Sequence, residues 1–359
     1  MFVLIPGDLE TRTGGYGYDR RIIGGLRDRG WRVDVHRLDD SFPDPTPAAR
    51  AQAAQALAAI PDDATVLIDG LALGALPEEA EREVGRLRIV ALVHHPLAAE
   101  TGIGPAMSAA FAISERRALS AVRAVIVTSR ATATGLGAYG VTPNRIAIVE
   151  PGTDPAPLAR GSSIGRQPSA LRPQPLSVAL LCVATLTARK GHDLLVTALA
   201  EVPADRDWRL TCAGSLDRDP ATVARVRAQV RAHRMDDRVS FVGDLDTAAL
   251  AQQYDRADVF VLPTLHEGYG MAVAEALARG LPIISTATGA IRDLVADEAG
   301  IVVSPGDRDA LIDALSRVTG DPDLRARLAQ GARRVRARLP TWDVSTTAMA
   351  NALEAVARA

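Results

Sequence analysis

From residue 2 onward the chain alternates short apolar runs with longer stretches whose apolar residues recur every three or four positions. FVLIP (2–6), WRVDVHRL (31–38), TVLIDG (65–70), RIVALVHH (88–95), AVIVTS (124–129) and RIAIVEPG (145–152) read as strands. Residues 16–29, 48–59, 78–85 and 105–121, between them, read as helices. Continuous apolar strands separated by helices predict a parallel sheet covered on both faces. Residues 151–175 break the rhythm: they are rich in proline and glycine and have no periodicity, which is linker composition. The pattern then resumes, with strands expected at 177–184, 208–213, 239–242, 258–262, 282–286 and 301–303. The expected fold is α/β, two doubly wound Rossmann-like domains facing a cleft. The first domain is expected over 1–165, the second over 176–340, and a hinge over 151–175, with one more amphipathic segment after PTWD (340–343).

Bulk properties narrow the class. A length of 359 residues exceeds what one hydrophobic core usually serves. The net charge is −2 and both signs are interspersed, which argues against a nucleic-acid-binding protein and its basic face. The arginine run ARRVRARL (332–339) has acidic neighbours and reads as a solvated helix face. Cys182 and Cys212 lie in strand-like runs and are expected to behave as small buried hydrophobes; no metal-ligand spacing or disulfide framework accompanies them. No uncharged segment is long and apolar enough to span a bilayer, and MFVLIPGDLE lacks a basic leader and a cleavage site. A cytoplasmic protein without a transmembrane segment is the expectation.

Among 41 basic residues one is a lysine, Lys190, in TLTARKGHDLL (185–195). It falls just beyond a strand and just before a helix, at the carboxyl edge where open parallel sheets bind ligands. A helix start offers free N–H groups and a positive dipole end, and lysine adds a compact charge suited to phosphate. A solvated RKG turn would fit this stretch equally well. The segment LHEGYGMAVAEALARGLPIIST (265–286) carries more information. A strand ends, a glycine-bearing loop holds Glu267, and a helix runs from about Met271 to Arg279 with Gly280 placed to stop it. Glu275 is the only charge between Met271 and Ala278, on a helix that otherwise reads as buried. Either it pairs with Arg279 four residues on, or it accepts hydrogen bonds from ligand hydroxyls. Gly268 and Gly270 would let backbone approach a ligand closely.

Two glutamates separated by seven residues inside HEGYGMAVAEALARGLPIIST resemble the signature of the retaining glycosyltransferases of family 4, which have the GT-B fold. VATLTARKGHDLLVTALA is similar to that family's phosphate-binding stretch, and LTCAGS, DRVSFVGDLD, YDRADVFVLPT and AGIVVSPGDRDAL follow in the family's order. TGGYGYDRRIIGGLRDRGWRVDV, AVIVTS and IAIVEPGTD match in the N-terminal half.

The resemblance implies a glycosyltransferase that moves a sugar, with retention, from a nucleoside-diphosphate sugar to a small-molecule, glycan or lipid acceptor. Lys190 would contact the diphosphate, Glu275 the ribose hydroxyls and Glu267 the donor sugar. Backbone at Gly268, Tyr269, Gly270 and Met271 would hold phosphate and sugar oxygens, and the regions of Gly214 and Val242 would line the nucleobase pocket. The family commonly has a second basic residue where this chain has Thr185; Arg189 stands next to Lys190 and could substitute for it. In the N-terminal domain the resemblance implies a cleft-facing Gly14–Gly15 pair with Tyr16, and a histidine near the reacting sugar, His94 or His95, with His95 slightly preferred. Tyr18, Arg20 and Glu100 are candidate acceptor contacts. The segment around Trp342, over about 342–359, resembles a last helix that returns to the N-terminal domain. No metal and no cofactor beyond the nucleotide-sugar co-substrate are implied. A Rossmann oxidoreductase fits poorly, because GGYGYDR lacks the third glycine of a dinucleotide fingerprint. A nucleotide-sugar-binding protein, epimerase or phosphorylase of the same fold is the competing reading.

Overall fold

The computed structural model describes residues 1–100, 103–162 and 177–358. They form two compact units, Met1–Gly152 with Pro340–Ala359, and Thr153–Leu339. Each is built on a six-stranded sheet whose paired strands all run parallel.

In the first unit the strands are β1 (Phe2–Pro6), β2 (Asp34–Leu38), β3 (Thr65–Asp69), β4 (Arg88–Val93), β5 (Ala124–Val127) and β6 (Ile146–Ile148), in spatial order β2-β1-β3-β4-β5-β6. The central strands are apolar on both faces because helices cover both, so their residues are buried almost without interruption. Each strand falls inside its predicted run; β1 matches its run, and the others are overshot by one to five residues. The helix Gly14–Asp28 opens at Thr13, whose hydroxyl accepts from the Tyr16 N–H. The last helix, Trp342–Arg358, lies on it with Met349 and Leu353 fully buried. That contact is close. A Cβ on Gly25 would come within 2.4 Å of Thr346 Oγ1, and one on Gly152 within 2.3 Å of the Trp342 backbone.

In the second unit the strands are β7 (Val178–Val183), β8 (Trp208–Ala213), β9 (Val239–Gly243), β10 (Val259–Leu262), β11 (Ile283–Thr286) and β12 (Gly300–Val303), ordered β12-β11-β10-β7-β8-β9. The core gathers Trp208, Tyr254 and Phe260, each no more than 1% exposed, with the aliphatic residues of β7 and β10. Cys182 and Cys212 are register partners on β7 and β8 and are both buried, as their apolar surroundings predict. The sheet has one topological switch point, between β7 and β10, where the chain winds away in opposite directions; such crevices hold ligands in open α/β sheets. The matching point of the first sheet lies between β1 and β3.

The stretch expected to be a hinge divides differently. Residues 163–175 of it lie outside the described residues. Residues 153–162 belong with the second unit, not with the first domain to which the limit of 165 assigns them. The Ala159 N–H donates to the Arg279 carbonyl, the Arg160 N–H to that of Asp255, and the Arg336 guanidinium to that of Ala156. A proline-rich run without periodicity can still be fixed by backbone hydrogen bonds, which composition does not encode.

Candidate functional site

At the switch point of the second sheet, β7 leads into Thr185 and a 3-10 turn, Ala188–Lys190, ahead of the helix His192–Leu199. β10 leads into the loop 263–270 and the helix Met271–Ala278. Both helices begin at a glycine with positive φ, Gly191 at +70° and Gly270 at +99°, and neither has a side-chain cap at its start. Gly191 is required sterically as well, since a Cβ there would lie 2.1 Å from the Pro263 carbonyl oxygen.

That close approach brings the two loops together. The Leu265 N–H donates to the Arg189 carbonyl at 2.7 Å, and Arg189 Nη1 donates to the His266 carbonyl at 2.9 Å. The Thr264 hydroxyl reaches the carbonyls of both Arg189 and His266. Lys190 Nζ forms an ion pair with Glu267 Oε1, with both side chains mostly buried. So the structure brings together the lysine and the first glutamate, which sequence reading singled out separately, and the pairing itself had no sequence signal. From the far side the Ala290 N–H donates to the Gly268 carbonyl, and the left-handed Gly289 fits against Glu267 and Gly268 where any Cβ would clash. Tyr269, within this loop, is buried, and Met271 is half-buried.

Glu275 occupies the half-buried face of its helix. Its Oε2 accepts from the Tyr254 hydroxyl at 3.0 Å. Arg279 bonds to the backbone carbonyl of Glu275, at 2.9 Å, and stacks over the Tyr254 ring at 4.3 Å. The simple side-chain pair with Arg279 is therefore replaced by a three-residue arrangement in which Tyr254 is the carboxylate's hydrogen-bond donor. Burial pushes the Glu275 carboxyl above its usual range, against the lowering effects of the Tyr254 hydrogen bond and the Arg279 charge. Gly214 and Val242 lie at the carboxyl ends of β8 and β9; the Gly214 N–H donates to the Gly243 carbonyl and Val242 is exposed. Gly214, at φ +143°, passes so near Ala184 that a Cβ would sit 2.2 Å from its oxygen.

The first unit holds the other predicted residues. Gly14 and Gly15 start the helix Gly14–Asp28, and Gly15 packs against the His94 ring. The Tyr16 hydroxyl donates to the Pro6 carbonyl at 2.6 Å. His94 and His95 separate in role. His95 Nε2 meets Glu100 Oε2 at 3.1 Å, whereas His94 Nε2 lies 3.3 Å from Asp19 Oδ1 and 3.7 Å from Asp69 Oδ2. Burial works to lower the His94 pKa, but the charge and hydrogen bond of Asp19 and the charge of Asp69 outweigh it and the value rises. Burial, aided by Asp19, lifts Asp69 to about 7 against the lowering effects of His94 and the Leu71 N–H. Sequence reading missed both aspartates. Asp69 did leave a signal: it ends an otherwise apolar strand at the carboxyl edge of the sheet.

One acceptor candidate is corrected. Tyr18 is fully buried with its hydroxyl donating to the Val149 carbonyl, so it is a core residue. Arg20 turns its guanidinium to the carbonyls of Leu9 and Thr11, where it braces the loop after β1.

The family comparisons agree with this architecture. A model described as glycosyl transferases group 1 matches residues 170–335, and one described as glycosyltransferase family 4 matches residues 72–157. The D-inositol 3-phosphate glycosyltransferase of Xylanimonas cellulosilytica is 32% identical over 246 residues, covering 66% of this chain and 58% of that protein. The lipopolysaccharide core biosynthesis mannosyltransferase LpsB of Rhizobium meliloti is 31% identical over 156 residues, 42% of this chain and 44% of that protein. The matches thus span about half the length of these curated relatives. Among solved structures, a sucrose-phosphate synthase from Thermosynechococcus elongatus superposes with a TM-score of 0.81 at 21% identity, covering 99% of this chain and 98% of that one. Anabaena HepE in complex with UDP-glucose gives 0.75 at 18% identity, covering 99% and 100%.

Two parallel sheets of this topology, matched over their whole length by such neighbours, define the GT-B class. Within it, the chain belongs to the glycosyltransferase family 4-like proteins. Among the described residues no helix is long and apolar enough to cross a membrane.

Proposed function

We propose that the protein is a retaining glycosyltransferase that moves a sugar from a nucleoside-diphosphate sugar to an acceptor hydroxyl. The observation that carries this reading is the pairing of Lys190 with Glu267 between two glycine-opened helix starts at the switch point of the second sheet. Uncapped helix starts and an ammonium are what a diphosphate needs. The ion pair stands in for the ligand-bound state: a diphosphate oxygen would take the ammonium, and Glu267 would turn to a donor-sugar hydroxyl. Glu275, already hydrogen-bonded by Tyr254, would accept from the ribose. Gly214 and Val242 would border the base, which fits a pocket read through backbone groups.

In transfer, charge develops on the departing diphosphate. Lys190, Arg189 and the two helix dipoles would stabilise it, a pre-organised electrostatic contribution that takes the place of a metal at the phosphates. Retention would follow a front-face displacement in which the leaving group helps to deprotonate the acceptor. HepE was solved with UDP-glucose, which supports a nucleoside diphosphate-sugar as the donor class. The relatives named for an inositol phosphate and for a lipopolysaccharide core support a polyol or glycan acceptor.

A thermal-shift panel of UDP, GDP, ADP, TDP and NAD(P) on the wild type and on Lys190→Ala tests the reading. A ligand at ~100 times its Kd stabilises the fold by roughly 2.7 kcal/mol. One nucleoside diphosphate should shift the wild type and leave Lys190→Ala at its own unliganded midpoint. A shift with NAD(P) alone, or with none of them, refutes the reading.

A further inference from the structure

Among the described residues one group of three metal-ligating side chains converges closely enough to share an ion. It lies in the first unit: Asp19, Asp69 and His94, whose donor atoms all stand within 4.8 Å of one another. We propose that these side chains bind a divalent transition cation, of the Mn²⁺ or Zn²⁺ type, through a carboxylate oxygen of Asp19, Oδ2 of Asp69 and Nε2 of His94.

The spacing fits. Ligand atoms about 2.1 Å from an ion stand about 3.0–3.5 Å apart around a tetrahedral or octahedral centre. His94 Nε2 lies 3.3 Å from Asp19, within that range, and 3.7 Å from Asp69, just beyond it, so Asp69 would draw in slightly on binding. The ligands are also oriented from behind, as metal ligands usually are. Asp69 Oδ1 accepts from the Leu71 N–H at 2.8 Å, which leaves Oδ2 for the cluster. The His94 carbonyl accepts from the hydroxyls of Thr128 and Thr132, while Gly15 and the edge of Tyr18 flank its ring.

Charge balance adds an independent reason. Both aspartates are 3% exposed, and Asp19 Oδ2 is buried with no hydrogen-bond partner. With both carboxylates ionised, one imidazole leaves net negative charge in the cluster, and burying uncompensated charge is costly. The next arginine along the helix, Arg20, serves Leu9 and Thr11. A divalent cation supplies the missing charge. Imidazole with two carboxylates suits Mn²⁺ or Zn²⁺ better than Mg²⁺ or Ca²⁺, which prefer all-oxygen shells. The His94 side chain keeps 20% of its surface exposed, which gives an ion a way in. The site belongs to a different unit from Lys190, so it does not duplicate the cationic role proposed for that residue.

Metal-stripped full-length protein, without nucleotide, is titrated with Mn²⁺ by electron paramagnetic resonance and with Zn²⁺ by equilibrium dialysis. One ion per chain is expected, with affinity falling at least tenfold in Asp19→Asn and in Asp69→Asn. In the second of these variants the side-chain amide oxygen can still accept from the Leu71 N–H, and circular dichroism verifies that each variant is folded. Glu267→Gln should bind the ion as the wild type does. In the wild type, Mn²⁺ should also broaden the imidazole resonances that His94→Gln removes. A wild type that takes up no ion, an affinity unchanged in both Asn variants, or unbroadened His94 resonances would each overturn the proposal. Because nucleotide is absent, failure here is distinct from failure of the donor reading, which the thermal-shift panel alone addresses.

Discussion

Lys190 and Glu267 hold each other in a nearly dehydrated setting, and this makes their structural role separable from the binding roles proposed for them. Lys190→Met leaves the Glu267 carboxylate without that counter-charge and should cost about 2–4 kcal/mol, the scale for breaking a largely buried pair. Adding Glu267→Gln removes that buried charge, so Lys190→Met/Glu267→Gln should recover most of that loss in urea unfolding. The double variant should still show no nucleotide shift. Glu267→Gln alone, with its competitor for the ammonium gone, should bind nucleoside diphosphate at least as well as the wild type while transferring sugar more slowly. Recovered nucleotide binding in the double variant would mean that Lys190 is structural. Both residues were legible in the sequence, Lys190 as the lone lysine and Glu267 by its distance from Glu275. Their contact was not, because 77 residues separate them and only the switch point of the sheet brings them together.

At the scale of elements, the strands and helices were legible because burial on both faces makes each strand a solid apolar word. Where side chains answer to tertiary partners, the pattern was silent. The helix Pro105–Ala121 shows this through Glu115, which is 1% exposed and accepts from the Leu97 N–H at 3.0 Å. Burial lifts its carboxyl from an ordinary 4.5 to about 8, against hydrogen bonds from Leu97 and Tyr139 that lower it. The unfolded chain therefore releases this proton at a lower pH than the folded one does. Stability is full below pH 4.5 and is progressively lost up to about pH 8, by on the order of 5 kcal/mol. Glu115→Gln keeps the acceptor for Leu97 and has no proton to lose. Relative to the wild type it should gain stability at pH 8.5 and gain little at pH 4, as measured by urea unfolding. An equal difference at both pH values would refute the buried-carboxyl assignment. Asp19 escaped the sequence reading for the same reason, since polarity within a helix does not reveal depth.

The whole molecule is divided against the order of its sequence. The first unit needs residues 340–359, and the second is one continuous stretch. Removing 340–359 strips the helix Trp342–Arg358 from the helix Gly14–Asp28 and uncovers several fully or nearly buried side chains, at about 1.5–3 kcal/mol each. Two calorimetric transitions are expected in the wild type, and in the truncated chain only the one belonging to the first unit should drop or vanish. The nucleotide-induced shift should persist on the other transition. Loss of that shift would show that the donor site is not self-contained. The same arrangement sets a sequence of events during synthesis. A ribosome delivers every strand of the second unit before Trp342 appears, so the second unit can close while the first sheet still waits for its final helix. The part made first is then the part finished last.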